Sequence, residues 1–160
     1  LEEFPNLIIL KAFTKLYAMA GLRLGYCLCR EEGLLEKMAA CAQPWSVSNV
    51  AQAAGIAALK ERAYREQTKT LIHSQREFLR RELTALGVQV IGPQANYLVI
   101  RTVLPCLGQR LKERGILLRS CANYRGLGER YYRLAVRLPE ENARLRQEIR
   151  GLVAAGKGTP

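Results

Sequence analysis

The chain has 160 residues, 49% of them hydrophobic and with no low-complexity tract, which is enough to bury a core and excludes a disordered tail. Its net charge of +11 keeps a nucleic-acid partner in view, whereas no apolar run reaches membrane-spanning length and residues 1–20 lack a signal-peptide pattern. Five cysteines, a single histidine (His73) and no CxxC pair argue against zinc or any other metal site, and point to a reduced, cytoplasmic protein.

In chain order, LEEFPNLIILKAF (1–13) reads as a helix end, a turn at Pro5-Asn6 and a short apolar strand of the kind found in parallel sheets covered on both faces. GLRLGYCLC (21–29) reads as a second strand, with Cys27 and Cys29 on one face as buried thiols. EEGLLEKMAACAQP (31–44) predicts a helix stopped before Pro44. An alanine-rich helix follows from about Val47 to Leu59, then a long one to Leu86 with Gly87 as its C-terminal stop.

After Gly87 four short strands are expected at VQVI, NYLVIR, ILLR and YYRLAV. Leu104, Leu107 and Leu111 mark a helix between the second and third, ending near Gly115. The last helix starts at Pro139 with Glu140 and Glu141 in its first turn, the expected chemistry of a helix start. GKGTP (156–160) reads as a frayed tail. Residues 1–60 hold only two strands, too few for an independent sheet, whereas 61–160 can form a compact α+β domain. The absence of an initial methionine suggests the C-terminal part of a longer protein.

The densest basic segment runs from Lys60 to Arg81. Leu71, Ile72, Gln75, Phe78, Leu79, Leu83 and Leu86 keep helical spacing through and beyond it, so the basic residues fall mostly on the opposite, solvated face. Glu61, Glu66, Glu77 and Glu82 break up the positive field, which favours incidental, salt-sensitive attraction over a nucleic-acid surface.

Lys15 stands out because it follows a strand at what reads as a sheet's carboxyl edge, where open α/β sheets place their sites. A lysine amine becomes a nucleophile when desolvation or nearby cations favour its neutral form. Arg23 is such a cation and also a phosphate clamp, Thr14 adds a hydroxyl, and Gly21 and Gly25 leave room for close backbone approach. Lysine and phosphate site together suggest pyridoxal phosphate. A lysine merely snorkelling at a strand end fits the spacing equally well.

FTKLYAMAGLRLGY (13–26) resembles the pyridoxal-phosphate lysine signature of fold-type-I aminotransferases: a hydroxyl residue, lysine, a spacer, then G-x-R-x-G-Y. The resemblance implies that Lys15 holds the cofactor covalently, that Arg23 binds its phosphate and that Thr14 is a second phosphate contact. The family often has a hydroxyl residue three before the lysine, where this chain has Ala12. SVSNVAQAAGIAAL, ANYLVIR and RSCANYRGLGERYYRLAVRLPEENARL are similar in order and spacing to the histidinol-phosphate aminotransferase group, most of all to its threonine-phosphate decarboxylases. In that group an arginine on the strand at 131–136 holds the substrate carboxylate and one before the SCANY loop binds substrate, which implies Arg133 and Arg119. An arginine alternating into a strand's buried face would itself call for an anionic partner. Arg125 and Arg137 read as solvated.

The fold implied is α/β, the C-terminal portion of a fold-type-I transferase: the end of the large-domain sheet (1–60) and the small α+β domain (61–160). The acidic partner of the pyridine nitrogen and the aromatic that stacks on the ring are family features lying upstream, so this stretch alone should be inactive. The resemblance implies decarboxylation of L-threonine O-3-phosphate to aminopropanol phosphate in cobalamin synthesis, by a homodimer acting on a small phosphorylated amino acid. The alternative is a histidinol-phosphate-type aminotransferase using the same residues. A basic nucleic-acid-binding domain ranks a distant third, and would need aromatic and basic residues interleaved on one exposed sheet face.

Overall fold

The end of the run Leu7–Leu10 and the segment around Tyr26 both become strands, but the two pair with each other. In the computed structural model, which describes residues 1–92 and 95–156, strand β1 (Ile9–Ala12) runs antiparallel to β2 (Gly25–Leu28), with Ile9 opposite Leu28 and Ala12 opposite Gly25. The expected parallel, doubly covered setting is therefore absent from the described residues. Leu10 is 76% exposed and Cys27 and Cys29 are only half-buried, because a two-stranded ribbon has little surface of its own to cover them. Helix α1 (Phe13–Leu16) follows β1 directly, and its N-cap is Ala12, which offers no side-chain hydrogen bond. The missing hydroxyl noted above thus also leaves a helix start uncapped.

Helix α2 (Glu32–Ala40) ends four residues before Pro44, and α3 (Asn49–Lys60) is capped by Ser48, whose Oγ accepts from the Ala51 N–H at 3.2 Å. Its buried face is Ala51, Gly55 and Ala58. A Cβ on Gly55 would lie 2.5 Å from Leu24 Cδ2, so the small residues let α3 sit close to the chain entering β2. These elements, with the first residues of α4 (Arg62–Ala85), make one compact unit, Leu1–Thr68; Lys69–Pro160 make a second. The sequence put the division at 60/61.

The second unit is built on a four-stranded antiparallel sheet in the order β3 (Gln89–Ile91), β4 (Tyr97–Arg101), β6 (Tyr131–Ala135), β5 (Arg119–Ser120). Expected strand ILLR contributes only its last residue. Leu98 and Ile100 of β4 and Tyr132 and Leu134 of β6 face a core shared with Leu79 and Leu83 of α4, Leu107 and Leu111 of α5 (Leu107–Lys112), and Leu145, Ile149 and Leu152 of α6 (Pro139–Gly156). Helices α4 and α5 end as their glycines predict. Gly87 and Gly115 adopt φ of +79° and +76°, and the next residues' N–H groups close onto Leu83 and Leu111 at 3.0 and 2.9 Å. The reading of 156–160 as a frayed tail falls, from residue 157 on, outside the described residues. No helix among the described residues is long and apolar enough to cross a membrane.

Among the described residues, two of the three buried polar side chains tie elements of this unit together. Arg76, only 7% exposed, breaks the expected solvated placement of the basic run: its Nη1 donates to the Ala95 carbonyl at 3.3 Å, where the chain enters β4. Asn142, 1% exposed, accepts from the Arg137 N–H (3.1 Å) and donates to the Arg137 carbonyl (2.7 Å) and to Gln75 Oε1 (3.0 Å), tying the β6–α6 turn to α4. Replacing Asn142 by leucine keeps the volume and strands those partners. Asn142→Leu should cost about 1–3 kcal/mol of stability, read as a lower urea midpoint at unchanged m-value.

Candidate functional site

The ladder between β1 and β2 continues one step past the strands, because the Phe13 N–H donates to the Leu24 carbonyl at 3.2 Å. Thr14 and Lys15, on α1, and Arg23, two residues before β2, therefore leave neighbouring chains at one end of the ribbon. All three belong to the first unit. Phe13 is the anchor beneath them: it is buried, stacks on Tyr17 with centroids 5.2 Å apart, and meets Tyr26 edge-on at 5.9 Å. The backbone between is tightly turned, with Ala18 and Arg23 at φ of +54° and +51°. Left-handed non-glycine residues are costly and cluster where a loop is held for a purpose.

Lys15 is exposed, rather than desolvated at the end of a buried strand as the sequence suggested. Bare β1 supplies no apolar wall around it. No ion pair or hydrogen bond engages its amine among the described residues, and Arg23 donates only one long bond, 3.4 Å to the Ala20 carbonyl. An uncommitted amine for an aldehyde, with a largely free guanidinium and the Thr14 hydroxyl for a phosphate, is the donor set that pyridoxal phosphate requires at its anchoring end. The residues present fit that group. At Gly25 a Cβ would stand 2.8 Å from the Lys11 carbonyl oxygen, so glycine is what permits the ribbon to close here.

Arg119 and Arg133 lie on the second unit and are direct cross-strand partners on β5 and β6. The strand alternation is opposite to that expected: Tyr132 and Leu134 fill the core, and Arg133 projects from the other face with Tyr131 and Ala135. Arg119 is exposed too. Neither guanidinium has an acidic partner among the described residues, although like charges directly opposite on a sheet repel. The Arg133 guanidinium instead rests over the ring of Tyr97, 5.2 Å from its centroid, and Arg101 similarly lies 6.0 Å from Tyr131. Tyr97 was not singled out from sequence. Arg137 is held at 2.6 Å by Glu141, and Arg125 is exposed.

Residues 1–149 match the family described as aminotransferase class I and II. The chain is 36% identical over 156 residues to the threonine-phosphate decarboxylase of Salmonella typhimurium, spanning 96% of this chain and 43% of that protein. Among solved structures, a histidinol-phosphate aminotransferase from Clostridium acetobutylicum superposes with a TM-score of 0.91 at 28% identity, over 96% of this chain and 48% of that one. The histidinol-phosphate aminotransferase of Sinorhizobium meliloti, solved in complex with pyridoxal-5'-phosphate, shares the fold with a TM-score of 0.83 at 22% identity, over 94% of this chain and 42% of its own. The chain thus spans less than half the length of these relatives.

The Gly25 contact gives a direct check on the site. Gly25→Ala in the complete enzyme must push the Lys11 backbone away or shift the register, an overpacking cost of about 1–3 kcal/mol. Titration with pyridoxal phosphate should show a dissociation constant raised by about tenfold. Gly21→Ala should leave it near the parent value, because nothing lies within 4 Å of that Cβ position.

Proposed function

The chain belongs to the aminotransferase class I and II family, and on that premise we propose that the complete enzyme containing it decarboxylates L-threonine O-3-phosphate, with pyridoxal phosphate as cofactor. The observation that carries the reading is the Arg119–Arg133 pair, two arginines directly opposite in the sheet with no carboxylate paired to either among the described residues, on a face that therefore calls for an anionic ligand. The 36% identity with a threonine-phosphate decarboxylase favours a substrate bearing both a carboxylate and a phosphate.

Pyridoxal phosphate, when bound, supplies an electron sink for a bond broken at the amine-bearing carbon. This chain's residues do the rest. Lys15 would hold the cofactor through its amine and would offer a nitrogen that can return a proton to the substrate carbon. Arg23 and Thr14 grip the cofactor phosphate. Arg133 would take the substrate carboxylate through its planar fork and so orient the amine-bearing carbon, while Arg119 would add a second positive contact for the dianionic substrate. Aminotransfer uses the same residues with the proton, rather than the carboxylate, held in that orientation. The similarity to histidinol-phosphate aminotransferases supports it as the second reading.

A homodimer fits the exposed apolar residues of the first unit, where Trp45, Val50 and Ile56 are all open. We place the enzyme in the cytoplasm. The outer sheet face does interleave Tyr97 and Tyr131 with Arg101, Arg119 and Arg133, the pattern asked of a nucleic-acid surface. Both ring faces there already carry an arginine, which leaves them poorly placed to stack on bases. The discriminating experiment is product analysis of the complete enzyme with threonine phosphate and pyridoxal phosphate. Carbon dioxide and aminopropanol phosphate in equal amounts are expected; a keto acid, formed when an amino acceptor is supplied, would establish the aminotransferase instead.

A further inference from the structure

We infer that Tyr97 is a positioning residue for Arg133, its ring holding the guanidinium by its face and leaving the N–H edge free to meet a carboxylate. The inference rests on the proposed role of Arg133 and extends it. An arginine on an exposed sheet face has many rotamers, and Arg133 has a reason to leave: Arg119 stands directly opposite with the same charge. No hydrogen bond or ion pair holds it among the described residues. The contact that does hold it is the Tyr97 ring at 5.2 Å.

The register explains the contact. Arg133 is opposite Val99 and Ala135 is opposite Tyr97, so Tyr97 and Arg133 are diagonal neighbours on one face, within reach for long and aromatic side chains. The geometry matters because a guanidinium has two separable surfaces. Its flat face binds an aromatic ring, and its rim carries the five donors that grip a carboxylate bidentately. Arg101 on the same sheet face provides the contrast, since it uses a rim donor on Gln89 Oε1 at 3.5 Å while lying near Tyr131. Among the described residues Arg133 makes only the face contact, so its rim is unspent there.

The strand that carries the ring is held firmly. Tyr97 begins β4, and the two residues before it are tied down from different sides: the Ala95 carbonyl accepts from buried Arg76 at 3.3 Å, and the Asn96 carbonyl accepts from the Val136 N–H at 2.9 Å. A ring on a fixed strand can pre-orient a mobile cation, which reduces the ordering cost when substrate binds.

The test uses the complete enzyme and two ligands differing by one carboxylate, threonine phosphate as substrate and aminopropanol phosphate as inhibitor. Tyr97→Leu should raise KM for threonine phosphate roughly two- to fivefold with kcat little changed, and leave the inhibition constant of aminopropanol phosphate where it was. Tyr97→Phe, which keeps the ring face, should recover most of the loss. Tyr97→Ile, a better strand former, is read in the same way if the leucine variant does not fold. Equal weakening of both ligands, or a phenylalanine variant as poor as leucine, would overturn the inference. Arg133→Ala separates the two levels. If it raises KM and Tyr97→Leu does not, the positioning role fails and the carboxylate role stands; if it does not raise KM, the carboxylate role fails first.

Discussion

Closure of the β1–β2 ribbon at Gly25 is the constraint on which the site depends. A side chain there would meet the Lys11 carbonyl oxygen at 2.8 Å, so only glycine lets Ala12 and Gly25 face each other and lets Phe13 bond Leu24 one step further on. Lys15 and Arg23 inherit their positions from that closure. A lysine two residues beyond the last paired position and an arginine one before it emerge at the same end whatever their own rotamers. Phe13, buried against Tyr17 and Tyr26, keeps the short helix that carries the lysine from swinging.

The second unit meets the same requirement, fixed placement of flexible cations, by different means. Strand register puts Arg119 across from Arg133, and the apolar alternation of β6 decides the face. Tyr132 and Leu134 are buried because α4, α5 and α6 cover that side, and the arginine is left on the side free for a ligand. The proposed anion site thus lies on the face opposite the core. The core itself is stiffened by polar ties such as Asn142 to Gln75 and Arg137, which join the β6–α6 turn to α4.

Much of this was legible in the residues. Gly87, Gly115 and Pro139 mark helix ends by backbone chemistry that depends on nothing distant, and each holds. The lysine signature singled out Thr14, Lys15 and Arg23 as one local motif, and the structure puts all three at one end of the ribbon. Properties set by partners were harder to read. The apolar run at Leu7–Leu10 says that a strand wants cover, but not which strand pairs with it or in which direction. The phase of YYRLAV was readable in principle, since Tyr132, Leu134 and Val136 alternate, yet reading the arginine as turned to the buried face placed Arg133 opposite to where it lies. Arg76 keeps helical phase with Ile72 and Leu79, and its charge disguised a core position. Tyr97 carries no local signal at all, because its meaning appears only once β4 and β6 are in register.

The most direct measurement is the location of the lysine that holds the cofactor. The complete enzyme is incubated with pyridoxal phosphate, reduced with borohydride, digested and mapped by mass spectrometry. A single modified peptide carrying the pyridoxyl group on Lys15 is the expected result. Modification at Lys11 or any other lysine, or no stable modification, would contradict the assignment of this ribbon end as the active site.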